Sequence, residues 1–176
     1  RLGELWKDDP QGILIEHRAV DTCIQVLSDL LAWVPLPPEA APVAITAAGP
    51  DDPYLLPPML ASMTLQERGI RALNLGPDSP LETIAMASRR YNACLCSVSV
   101  GIEYDKKRLA EWLKLADTLE DARTGLVVGG RCAGSLPAEF RSRVHTCDSM
   151  SELGAYAAGA VRAGGSGRNS GRGSKP

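Results

Sequence analysis

Five short apolar runs, each followed by a stretch of helical spacing, constrain this chain more than any other feature. The runs cover residues 43–47, 72–75, 93–100 and 125–128, with a weaker one around Val144. Turn residues close them: Gly49-Pro50-Asp51-Asp52-Pro53 after the first, Gly76-Pro77 after the second, Gly129-Gly130 after the fourth. The intervening stretches predict helices over 59–68 (with Gly69 as C-cap), 80–90, 104–122, 137–141 and 151–161, the last capped by Ser151. The third run is nearly all apolar or small, as in a strand covered on both faces. Strand–helix alternation of this kind predicts an α/β fold, a flavodoxin-like doubly wound five-stranded parallel sheet. In that strand order ligands bind at the carboxyl ends of the first, third and fourth strands. Here those ends carry residues 49–57, 97–101 and 129–131, all small, glycine-bearing or hydroxyl-bearing.

A further helix precedes this region. Asp9 suits its N-cap and Pro10 its first turn. From Ile13 onward Val20, Ile24, Leu27, Leu31 and Val34 recur at helical spacing and make one apolar stripe. At about 100° per residue, Glu16 and His17 fall on opposite shoulders of that stripe. Trp6 precedes this pair with nine residues between. A tryptophan, a carboxylate and an imidazole at a covered edge suit a lid over a flat ligand. On residue types alone, the commoner role for such a histidine is a boundary residue bonded to a carbonyl or water. A proline-rich stretch, 35–42, then forms a linker that no helix crosses.

Composition sets the outer bounds. The 176 residues, 44% hydrophobic and 23% charged, suit one domain plus appendages. Aromatic residues are few at 5%, with Phe140 the single phenylalanine, so the core must be aliphatic and alanine-rich. Arg168, Arg172 and Lys175 stand in a Gly/Ser-rich tail; taking these three from the net −2 leaves −5 for the rest. That acidic body argues against a nucleic-acid-binding surface in this segment. Cys23, Cys94, Cys96, Cys132 and Cys147 are odd in number and contain no CxxC pair, which predicts reduced thiols in a cytoplasmic protein. No apolar run has the length of a membrane span and no signal peptide is visible. Opening on Arg1, the chain reads as a piece of something longer.

After the first run, Asp52 is followed two positions on by Tyr54 and five on by Pro57; Ser97-Val98-Ser99 closes the third run and Gly129-Gly130 the fourth. Over residues 43–161 these positions resemble the cobalamin-binding domain family. Its signature is Asp-x-His-x-x-Gly, then Ser-x-Leu or a similar Ser/Thr pair, then Gly-Gly. The resemblance implies a cofactor tail lying between strands, where glycines admit close backbone approach and serine hydroxyls meet the displaced base. Tyr54 stands where the family has its cobalt-ligating histidine, and a phenol is a poor ligand beside an imidazole. Pro57 stands where it has glycine.

The spacing Trp6, nine residues, Glu16-His17 resembles the cap motif of MerR-type light-responsive, cobalamin-dependent transcription regulators. This implies that residues 1–34 are the C-terminal part of a helical cap, 35–42 a linker, 43–162 the cobalamin-binding-like α/β domain and 163–176 a disordered tail. It implies cobalamin (adenosylcobalamin included) or another tetrapyrrole such as haem or a bilin. Trp6, Glu16, His17, Asp52, Tyr54, Ser97, Ser99, Gly129 and Gly130 are then the cofactor-binding residues, with His17 the candidate metal ligand. The expected role is a ligand-sensing regulatory domain, a homo-oligomer touching DNA only through an upstream domain. Two alternatives stand beside it: a corrinoid-carrying subunit of a methyltransferase or mutase, and a degenerate dimerisation module that binds nothing. No acid–base dyad, activated nucleophile or metal cluster is apparent, so no independent catalysis is expected.

Overall fold

The computed structural model describes residues 10–103 and 105–166, and it divides after Pro35 into two compact units. The first contains helix α1 (Pro10–Trp33), which starts at the proline as expected. Trp6 and the Asp9 cap lie outside the described residues. Besides the expected stripe, α1 carries a second apolar row, Ile15, Val26, Leu30 and Trp33, all exposed.

The second unit is built of β1 (Val43–Ala48), α2 (Leu56–Glu67), β2 (Arg71–Asn74), α3 (Leu81–Arg90), β3 (Leu95–Ser99), α4 (Leu109–Asp121), β4 (Gly125–Gly129), α5 (Ala138–Arg141), β5 (His145–Cys147) and α6 (Met150–Ser166). The strands form one all-parallel sheet in the order β2-β1-β3-β4-β5. This is the flavodoxin-like, doubly wound order expected from the alternation.

Register decides which residues share a face. Thr46, Ser97, Val127 and His145 lie side by side across the sheet, so alternate residues of each strand turn the same way. One face sets Ala44, Leu95, Val127 and Cys147 against Ala61 and Leu65 of α2 and Leu153 and Ala157 of α6. The other sets Ile45, Cys96, Val98 and Val128 against α3, α4 and α5. There Trp112 meets Phe140 edge-on, ring centroids 5.2 Å apart. Both faces are covered, which is why the third run is apolar throughout.

Several boundaries differ from the expected ones, each for a local reason. α2 begins at Leu56, not near residue 59, because Pro57 and Pro58 sit in the first turn, where a missing N–H costs nothing. Gly69, at φ +76°, follows its end and donates to the Gln66 carbonyl. The expected fourth helix is split: a 3-10 turn, Lys106–Arg108, capped by the Asp105 carboxylate, leads into α4. α6 is capped by Ser149 rather than Ser151. The Ser149 hydroxyl accepts from the Glu152 N–H at 3.2 Å, and the Glu152 carboxylate accepts from the Asp148 N–H at 2.8 Å. Its alanine-rich body carries it past residue 161 to Ser166; the positions beyond lie outside the described residues.

Candidate functional site

Three loops meet at the carboxyl edge of the sheet, after β1, β3 and β4. Main-chain bonds tie them together: Gly49 N–H to the Ser99 carbonyl at 2.9 Å, and Val100 N–H to the Gly129 carbonyl at 2.8 Å. Gly130 adopts φ +104°, and a Cβ there would stand 2.6 Å from the Val100 carbonyl oxygen. Only glycine satisfies both demands. The second Gly of the pair is thus required by the backbone.

Beside these loops lies a slot of about 250 Å³ on the α2/α6 side of the sheet. Ser97, Ser99, Gly129 and Gly130 form its floor; Pro57 and Pro58 of α2 wall one side, and Met150 and Leu153 of α6 another. Ser97 is nearly buried, at 8% exposure, and its hydroxyl has no hydrogen-bond partner among the described residues. A nearly buried, unpartnered hydroxyl facing a cavity is a group positioned to meet a ligand. The neighbouring hydroxyls of Thr46 and Ser62 bond each other at 2.7 Å.

The electrostatics of the slot are distinctive. Among the described residues its walls carry no cation, and Asp148 is their one charged residue. The α2 N-terminus, which would ordinarily present free N–H groups, has prolines at its second and third positions. At the α6 N-terminus the Ser149 hydroxyl takes the Glu152 N–H and the Glu152 carboxylate takes the Asp148 N–H. The α2 end lacks the full N–H cluster that holds a phosphate.

Of the residues singled out in the sequence, Ser97, Ser99, Gly129 and Gly130 come together in the slot. Asp52 and Tyr54 do not line it; they brace its rim. Asp52 is 1% exposed, its two carboxylate oxygens accepting from Tyr54 N–H at 3.1 Å and Gly101 N–H at 2.5 Å. The first is the Asx-turn its position suggests. The Tyr54 hydroxyl accepts from Arg131 Nη2 at 3.0 Å, and Arg131 Nε donates to the Gly101 carbonyl at 2.6 Å. Glu16 and His17 are on α1, Glu16 half-buried and His17 exposed. Gly101 and Arg131 fall within the loops expected at the carboxyl ends of the third and fourth strands, but no motif in the sequence singles either out as a site residue.

No protein-family model matches the sequence, and no curated protein matches it. Solved structures do match in fold. The monomethylamine corrinoid protein of Methanosarcina barkeri is similar at TM-score 0.64 and 17% identity, over 84% of this chain and 70% of that one. A cobalamin-binding protein from Desulfitobacterium hafniense DCB-2 gives TM-score 0.55 and 16% identity, over 69% and 60%. The methanol:cobalamin methyltransferase complex of M. barkeri gives 0.57 and 12%, over 86% and 57%. At these identities the likeness is one of fold. The class so defined is a flavodoxin-like, all-parallel α/β domain with a slot at its carboxyl edge.

Proposed function

We propose that this chain is the tetrapyrrole-binding part of a regulatory protein, and that it takes cobalamin with the cofactor's nucleotide tail in the slot. One observation carries the reading: a slot of small residues over Ser97, Ser99 and Gly130, with no cation among its described lining residues and with Pro57 and Pro58 in place of two N–H donors at the start of α2. A phosphate-anchored ligand such as a flavin mononucleotide gains from a full turn of N–H groups or a cation. The base that ends cobalamin's phosphodiester-bearing tail is a neutral heterocycle, and it gains from small walls and a free hydroxyl. The three similar structures are of corrinoid or cobalamin proteins, which supports the same ligand. The tail fits these residues; a histidine ligand from the first loop does not, because that position is Tyr54.

The sensing role rests on Trp6, Glu16 and His17, with His17 the candidate metal ligand and DNA contact left to an upstream domain of a cytoplasmic homo-oligomer. In this reading the chain performs no catalysis of its own. A corrinoid-carrying subunit of a methyltransferase is the second reading, favoured by the fold likeness to the monomethylamine and methanol proteins. Reconstitution tests the ligand: hydroxocobalamin or adenosylcobalamin should co-elute with the protein and show a shifted absorption spectrum. Retention of haem or a bilin instead would replace cobalamin as the ligand. No retained chromophore would overturn the reading and leave a dimerisation module. Methylation of the bound cobalamin by a methyltransferase partner would convert the sensor into a carrier.

A further inference from the structure

The position where a histidine would reach a metal is occupied by a residue held elsewhere. Tyr54 leaves the β1–α2 loop two residues after Asp52, yet the Asp52 carboxylate does not orient it. Both carboxylate oxygens accept main-chain N–H groups, one from Tyr54 itself and one from Gly101. The Tyr54 ring lies against Gly101, where an added Cβ would stand 2.7 Å from ring carbon Cδ2. Its hydroxyl accepts from Arg131 Nη2 at 3.0 Å, and the Arg131 guanidinium carbon is 5.1 Å from the ring centroid. Arg131 is itself anchored by its Nε on the Gly101 carbonyl at 2.6 Å. Three loops thus converge on one polar cluster whose members already satisfy one another.

We infer that the Tyr54–Arg131 pair seals the β1–α2 loop against metal ligation, so that a tetrapyrrole held on this sheet edge receives no metal ligand from that loop. Three physical reasons combine. The phenol oxygen has one lone pair engaged by a charged donor. To turn toward a metal it must give up that bond and its packing on Gly101. A guanidinium beside it opposes the approach of a cationic metal centre. Arg131 therefore acts as a positioning residue through Tyr54, without touching the metal.

The inference rests on the tetrapyrrole reading, and the test separates the two. Wild-type protein and Tyr54→Phe are loaded with Co(II) cobinamide, which lacks the nucleotide base, and with Co(II) cobalamin. Binding is read by gel filtration and the cobalt environment by electron paramagnetic resonance. The phenylalanine keeps the ring on Gly101 and removes the one atom of the Tyr54 side chain able to ligate. Superposable cobalt spectra in both proteins are expected. A changed cobalt hyperfine pattern in Tyr54→Phe would make Tyr54 a ligand and overturn the inference while leaving the function intact. Failure of either protein to bind either corrinoid would overturn both.

Discussion

At Gly130 the backbone φ of +104° and the 2.6 Å approach of a notional Cβ to the Val100 oxygen leave no room for any side chain. Gly130→Ala should therefore lose about 1–3 kcal/mol from backbone strain alone, with the clash adding to it. Urea unfolding at neutral pH checks this. Cys96 is a different kind of residue-scale constraint. Burial pushes its thiol from 9.0 up to about 12, partly offset by a hydrogen bond with Ser88. Below pH 9 both folded and unfolded chains keep this proton, and its contribution to stability is fully present. Between pH 9 and 12 the unfolded chain releases the proton while the folded one holds it, so stability falls by up to about 1.4 kcal/mol per pH unit. Cys96→Ala should show a shallower loss over that window in parallel urea titrations; identical slopes would refute the burial argument.

Among the elements, α2 and α6 decide what the slot can hold. Pro57 and Pro58 suit a first helical turn, so α2 starts at Leu56, earlier than the expected residue 59. In the fold they begin the helix and remove two N–H donors from its first turn. At α6 the Ser149–Glu152 cap engages the Glu152 N–H. Ser99, half-buried at the end of β3, faces the slot between these helices. Ser99→Phe should fill it, weakening cobalamin binding at least about tenfold, or roughly 1.4 kcal/mol. Cobinamide, with no base to insert, should bind as it does to the wild type. Calorimetric titration of both corrinoids into both proteins separates tail binding from ring binding.

For the whole molecule, the parallel sheet was legible because the apolar runs and helical stretches alternate with different periods. The slot is a property of the assembled unit, since it takes walls from β1, β3, β4, α2 and α6. A ligand lodged there binds the folded chain alone. At a free concentration a hundred times its Kd, cobalamin should add about 2.7 kcal/mol, and the melting temperature should rise by several degrees. Tetrapyrroles that leave the melting temperature unmoved at saturation would mark the domain as one that binds nothing.

The sequence by itself determined the strand–helix order, the two covered faces of β3, and the glycine and serine positions at the sheet's carboxyl edge. Each of these is written in local spacing: period two or continuous apolarity for strands, 3.6 for helices, glycine where the chain turns. Only the tertiary structure decided that Asp52 turns both oxygens to the backbone, that Arg131 holds Tyr54 on Gly101, and that Ser97 faces the slot with no partner among the described residues. Apart from the Asp52–Tyr54 turn, those hydrogen bonds join residues 30 to 77 positions apart. No local period encodes such a pairing, because it exists only once three separate loops have been brought to one edge by the register of the sheet.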